Sequence, residues 1–208
     1  MTEPTKRKRF ELIRSFVLAD FITLGNAACG TASILFCLDY LDLDQTWKLW
    51  AAMGLLPVAF VCDAADGMVA RWRHKQSPYG ADLDSLADIV SFGVAPAVLA
   101  YTLGMRGLWD MAILLVFVCC GIGRLARFNA TADDLMTDAG KVSHFEGTPI
   151  PVSLVLVGLT AWMAWQGAVF DDLPFGEVRL LGARFHPISL AWLAVGSLMV
   201  STIKVPKP

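Results

Sequence analysis

Residues 108–128 read Leu108-Trp109-Asp110-Met111-Ala112-Ile113-Leu114-Leu115-Val116-Phe117-Val118-Cys119-Cys120-Gly121-Ile122-Gly123-Arg124-Leu125-Ala126-Arg127-Phe128. No residue from Met111 to Gly123 carries a charge, and the block closes on Arg124 and Arg127. A helix of about 20 residues rises about 30 Å, the thickness of a bilayer's hydrocarbon core. Five similar blocks flank it, at about 20–40, 47–72, 83–103, 149–168 and 187–203. The composition agrees: 56% of the 208 residues are hydrophobic and 17% charged, with a mean hydropathy of +0.56. A soluble domain carries roughly a quarter charged residues. A disordered chain is excluded and a soluble enzyme disfavoured. The expected fold is an all-α integral membrane protein of six transmembrane helices.

The first block follows the basic, amphipathic stretch Lys6-Arg7-Lys8-Arg9-Phe10 to Arg14-Ser15-Phe16-Val17-Leu18. No small-residue cleavage site stands out after it and five more apolar blocks follow, so it does not read as a cleaved signal. Residues 10–19 are expected to form an interfacial amphipathic helix, with arginines among headgroups and Phe10, Phe16 and Leu18 below them. The domain reading is then 1–19 as basic N-terminus and interfacial helix, 20–203 as the membrane domain, and 204–208 as a cytosolic tail. With the N-terminus in the cytosol, that side holds Lys6, Arg7, Lys8, Arg9, Arg14, Arg71, Arg73, Lys75, Arg124, Arg127, Lys141, Lys204 and Lys207. The other side holds only Lys48, Arg106, Arg179 and Arg184. The positive-inside rule therefore puts both termini in the cytosol, which for a prokaryotic chain means the cytoplasmic membrane. A net charge of −2 gives no reason to expect a nucleic-acid partner. The five cysteines all fall within apolar blocks without paired spacing, and read as small hydrophobes. Trp47, Trp50, Trp109, Trp162, Trp165 and Trp192 lie near block ends, where an interfacial belt is expected.

Acidic residues at the rim of membrane spans are costly, and each needs a partner or a role. Asp63 and Asp66 lie near the cytosolic end of the second block, followed by Gly67, Ala70 and Arg71. Gly80, Asp84 and Asp88 open the third. At about 100° per residue, Asp63, Asp66 and Ala70 share one sector of a helix, and Asp84 and Asp88 lie one turn apart on one face. The short connection makes these helices antiparallel neighbours, so four carboxylates converge at the cytosolic leaflet. They cannot all stay ionised there without cations. A hard divalent ion, Mg²⁺ or Mn²⁺, suits oxygen ligands and bridges carboxylates to phosphates. Gly67 and Gly80 leave room for a ligand to approach the backbone, or serve close helix packing.

The pattern Asp63-x2-Asp66-Gly67-x2-Ala70-Arg71-x8-Gly80-x3-Asp84-x3-Asp88 resembles the signature of the CDP-alcohol phosphatidyltransferases at every fixed position. Three further stretches resemble the phosphatidylserine synthase branch: Leu83 to Ala97, Gly123 to Asn129 and Phe145 to Pro151. The resemblance implies transfer of a phosphatidyl group from CDP-diacylglycerol to the hydroxyl of L-serine, releasing CMP. It implies two divalent ions, with Asp63, Asp66 and Asp84 as principal ligands. Asp88 would face the second ion and take the proton of the incoming hydroxyl. Asp66, Gly67, Ala70, Arg71 and Gly80 would bind the CDP-lipid, and the protein would be a homodimer among membrane lipids.

Asn26, a polar residue within the first block, reads equally as a nucleotide contact or an interhelical hydrogen bond. Arg124 and Arg127 share a helix face and suit a serine carboxylate or a lipid phosphate; topology alone would also account for them. His74, His144 and His186 have no metal-ligand spacing. Two alternatives stay open. One is another acceptor, such as glycerol phosphate or inositol phosphate. The other is a cation transporter, which predicts carboxylates near the midplane on broken helices.

Overall fold

A computed structural model describes residues 17–73, 79–137, 144–201 and 204–206; side chains at 70, 71, 73, 131–137, 144–146 and 204–206 are outside the description. The expected interfacial helix therefore lies almost wholly outside the described residues. Helix α1 spans Leu18–Leu43 and α2 spans Thr46–Arg73. A third run comprises α3 (Gly80–Asp88), a π-helical turn (Ile89–Val94) and α4 (Ala95–Thr102). Then come α5 (Leu108–Thr137), α6 (Leu154–Trp165, entered by a 3₁₀ turn at Ile150–Ser153) and α7 (Leu190–Val200, entered at Pro187–Ser189). Among the described residues, four helical stretches are long and apolar enough to cross a membrane, namely Leu18–Leu43, Thr46–Val69, Gly80–Thr102 and Leu108–Ala130. Two apolar helices are shorter, Ile150–Trp165 and Pro187–Val200.

Helix α1 shows the pattern of a helix turned inside out. Its buried face carries Asp20, Thr23, Asn26, Gly30, Ser33, Cys37 and Tyr40, while Leu18, Phe21, Leu24, Leu35 and Leu38 face outward. In lipid, outward leucines cost nothing and polar groups must find partners inside. The Asp20 carboxylate accepts the Val17 N–H at 2.8 Å and satisfies a free donor at the helix start. Asp44, in the left-handed region at φ 49°, ends the helix and sends its N–H to the Tyr40 carbonyl. Helix α2 returns antiparallel, with Ser33 Oγ donating to the Ala52 carbonyl at 2.8 Å.

The π turn was not anticipated from the sequence. It lies where Gly30 of α1 meets Ser91: a Cβ on Gly30 would fall 2.8 Å from the Ser91 Cα. Ser91 Oγ donates to the Asn26 carbonyl at 2.9 Å across this contact. A π turn inserts one residue into the helix and re-aims what precedes it. Asp88 is the residue that immediately precedes the turn.

Phe92, Phe117, Ile150, Met163, Trp192 and Met199 form part of one core cluster, and Leu49, Leu56, Leu99 and Leu103 part of a second. Trp192 corrects an expectation. It is wholly buried in the first cluster rather than part of an interfacial belt, because Gly196, one turn away, packs against Phe117 of α5 and brings α7 close. Trp47, Trp50, Trp162 and Trp165 are exposed. Two small antiparallel pairs complete the fold: β1 (His144–Glu146) with β4 (Lys204–Pro206), and the hairpin of β2 (Val178–Leu180) with β3 (Ala183–Phe185).

Candidate active site

One end of the bundle gathers polar side chains from four helices. Asp63 and Asp66 come from α2 and Asp84 from α3; one carboxylate oxygen of each lies within 4.8 Å of the others. The i, i+3 spacing on α2 puts its two aspartates on one face, and Asp84 of α3 lies beside them. Asp66 is buried, while Asp63 and Asp84 are half-buried. Asp88 is also buried but stands outside this trio, accepting a hydrogen bond from Asn26 Nδ2 at 3.2 Å. Asn26 thus makes the interhelical hydrogen bond that was one of its two expected roles.

Thr23 was missed in the sequence. Its Oγ1 lies 2.5 Å from Asp66 Oδ2, as donor, and 3.1 Å from the Ala19 carbonyl. Asp20, one turn earlier on the same face, was missed too. The signal was there: small and polar residues recur at Asp20, Thr23, Asn26, Gly30 and Ser33, one helical face within a block otherwise apolar. On α5, Arg124 is half-buried, lies over the Phe128 ring at 5.2 Å, and is within electrostatic reach of Asp63, Asp84 and Asp88. Asn129 Nδ2 donates to Ser85 Oγ at 2.9 Å and ties α5 to α3.

Arg127 serves a different contact, donating from Nη2 to the Ser201 carbonyl at 3.4 Å. Gly147, at φ 77°, passes beside it; a Cβ there would meet the Met199 carbonyl at 2.5 Å and Arg127 Nη2 at 3.3 Å. Gly67 directly follows Asp66 on α2, and Gly80 opens α3. Ala70 and Arg71 lie on the last turns of α2, and their side chains lie outside the described residues.

The trio suits a divalent metal ion. Its donors are hard carboxylate oxygens, contributed by two helices whose backbones hold them in place. Among the described residues, Asp84 Oδ1 is buried without a hydrogen-bond partner, as is Asn26 Oδ1. Buried acceptors are almost always satisfied, and orphans at a polar cluster mark a place for a ligand.

The family profile of CDP-alcohol phosphatidyltransferases matches residues 16–200. The chain belongs to that family. Its members depend on divalent metal ions. It is 42% identical over 205 residues to a CDP-diacylglycerol–serine O-phosphatidyltransferase of Saccharomyces cerevisiae, covering 96% of this chain and 74% of the yeast protein. It is 34% identical over 202 residues to an archaetidylserine synthase of Methanothermobacter thermautotrophicus, covering 94% and 72%. A CDP-diacylglycerol–serine O-phosphatidyltransferase of Mycobacterium tuberculosis is 36% identical over 148 residues. That match covers 70% of this chain and about half, 49%, of the mycobacterial protein.

Proposed function

We infer that this chain transfers the phosphatidyl group of CDP-diacylglycerol to the hydroxyl of L-serine, releasing CMP and forming phosphatidylserine. The observation that carries the reading is the aspartate trio of the phosphatidyltransferase signature, drawn within 4.8 Å at one end of apolar helices. Similarity along nearly the whole chain to a serine-using relative supports the acceptor. Asp63, Asp66 and Asp84 would hold a divalent ion, Mg²⁺ or Mn²⁺, and Asp88 would serve a second. Such ions, when bound, offset the negative charge that builds up on the pyrophosphate as it cleaves.

The chain's own residues do the rest. The serine hydroxyl is a weak nucleophile and needs a positioned base. Asp88 is that base: one of its oxygens is held by Asn26, leaving the other to take the proton. The serine oxygen bonds to the phosphatidyl phosphorus as the phosphorus–oxygen bond to CMP breaks. Arg124 offers charge beside the aspartates to an anionic substrate group, a lipid phosphate or the serine carboxylate. Arg127 contributes at the edge. Gly67, Ala70 and Gly80 leave space for the nucleotide, with Asn26 nearby and Arg71 on its phosphates.

The catalytic domain runs over 20–203, preceded by the interfacial segment and followed by the short tail. All six apolar stretches cross the bilayer, both termini are cytosolic, and the lipid enters sideways from the cytosolic leaflet. The protein acts as a homodimer. A transporter reading has less support, since the aspartates gather at helix ends rather than midway.

Purified protein given CDP-diacylglycerol, a divalent salt and labelled serine, glycerol phosphate or inositol phosphate tests the activity. Phosphatidylserine as the product supports the reading, and a lipid carrying another alcohol replaces it. Cysteines placed at 76 and 138 test the topology: labelling by an impermeant reagent from outside intact cells would overturn it.

A further inference from the structure

The end of the bundle away from the aspartates holds a second feature that the proposed reaction does not use. Asp110 and His186 lie there, and α5 carries Arg127 at its other end. Asp110 and Arg127 are separated by about 25 Å along α5, at 1.5 Å per residue. The two short helices fit this same interval. With its 3₁₀ entry, Ile150–Trp165 rises about 26 Å and Pro187–Val200 about 22 Å. Their aspartate-side ends are pinned at the level of Arg127, by Arg127 to the Ser201 carbonyl and by the Thr148 N–H to the Leu198 carbonyl at 3.3 Å. A hydrocarbon core is about 30 Å thick. With the level of Arg127 taken as the near edge of the hydrocarbon core, the remainder lies at the opposite end, where residues 166–186 connect them.

That connection bears the marks of a segment at the membrane boundary. Its hairpin turns on Leu181 and Gly182, both at positive φ (52° and 81°). Arg179 pairs with Arg184 across the strands, and Leu180 with Ala183. Because side chains alternate, the arginines share one face and Val178, Leu180, Ala183 and Phe185 the other. Leu181 is 88% exposed and Phe175 79%, values that water would penalise. Several of its backbone groups are nevertheless satisfied by protein. Strand pairing uses some groups, Trp109 Nε1 donates to the Leu180 carbonyl at 2.9 Å, and the His186 N–H donates to Asp110 at 2.8 Å. Irregular backbone near the hydrocarbon region is tolerated only when protein groups satisfy it in this way.

We propose that the hairpin of residues 175–185 is an interfacial element seated in the leaflet opposite the aspartate cluster. Leu180 and Leu181 lie below the phosphates, and Arg179 and Arg184 lie at their level. It completes the thickness that α6 and α7 do not span. The proposal rests on the reading that these helices cross the bilayer.

The test uses the full chain in lipid nanodiscs, carrying an environment-sensitive fluorophore on Leu181→Cys, with the unsubstituted chain taken through the same labelling as blank. Leu115→Cys, on an outward position midway along α5, and Asp42→Cys, on the exposed end of α1, serve as references. Lipids with a nitroxide near the headgroup end of the acyl chain should quench Leu181→Cys several-fold more than Asp42→Cys, and aqueous iodide should do the reverse. A Leu181 label that behaves like Asp42→Cys would overturn the proposal while leaving the membrane reading intact. Shielding from both quenchers would mean that a second copy covers the tip, and would equally overturn it. If Leu115→Cys also escaped lipid quenching, the membrane reading itself would fall, and the proposal with it.

Discussion

Asp110 at the start of α5 and the aspartate trio at the other end of the bundle are built on opposite rules. Asp110 is wholly buried, and every partner it needs is protein: the Gly107 N–H at 2.9 Å, the His186 N–H at 2.8 Å and His186 Nδ1 at 2.5 Å. It caps the start of α5 and clasps the entry to α7 in the same stroke. The Asp63, Asp66 and Asp84 trio instead keeps like charges together and, among the described residues, leaves Asp84 Oδ1 without a partner. Burial alone thus does not mark a functional carboxylate. Spare acceptor capacity beside other carboxylates is the more telling feature, because a water or a metal ion would use it.

The sharpest way to break this contrast is to remove single charges at the open end. Asp88→Asn keeps the size of the side chain and abolishes the proton acceptor. A positioned base contributes about 10²–10⁴-fold to rate, so serine transfer should collapse by that order while CDP-diacylglycerol still binds. Near-normal turnover would take Asp88 out of the reaction. Asp63→Asn should instead weaken metal and nucleotide binding together. Chelation should abolish turnover of the unsubstituted protein, and Mg²⁺ or Mn²⁺ should restore it. Metal-dependent thermal stabilisation should be absent in Asp84→Asn; its persistence would mean that the trio is not the metal site.

The open end was far more legible from sequence than the closed one. Asp63, Asp66, Asp84 and Asp88 declare themselves through spacing, since charges within apolar helices stand out and each pair lies on one helix face. The Asp110–His186 clasp joins residues 76 positions apart, and nothing local in either stretch signals the other. The π turn is hidden for a similar reason: it answers the contact of Gly30 with Ser91, which depends on where α1 lies. Trp192 looked interfacial by position along the chain, but a glycine on the next turn drew it into the core. The four long helices were readable because length and hydropathy suffice. The hairpin at 178–185 leaves little mark in the sequence, since two three-residue strands carry little pattern.

At the closed end the expected loss is of stability rather than chemistry. Asp110→Ala leaves two buried backbone donors and an imidazole unpartnered, at about 1–3 kcal/mol per unsatisfied group. The melting temperature in detergent should fall while metal binding and kcat, measured well below that temperature, stay as they were. A large loss of kcat at full stability would tie this end to the reaction. Gly30→Ala probes the seam between the ends. The added methyl would press on the Ser91 backbone, and overpacking of this kind costs about 1–3 kcal/mol. Because the same contact supports Asn26 and the turn after Asp88, turnover should fall along with stability, which distinguishes it from Asp110→Ala.

The smallest effect is expected at Thr23, and it bears most directly on how the open end is held. Its hydroxyl donates to Asp66 Oδ2 at 2.5 Å, so it orients a carboxylate proposed to hold metal without touching the substrate. A hydrogen bond to a charged group contributes about 1.5–3 kcal/mol net, and only the part that differs between the metal-free and metal-bound carboxylate enters the metal affinity, a several-fold change. Thr23→Val preserves the shape and removes the donor, and should weaken Mn²⁺ binding by that factor, read directly by titration. Thr23→Ser restores a hydroxyl and should recover most of the affinity. A purely structural role would lower the melting temperature of both variants and leave metal affinity alone. If Thr23→Val bound Mn²⁺ as the parent does, Asp66 would be held well enough by α2 itself, and the polar face of α1 would matter for packing rather than for the site.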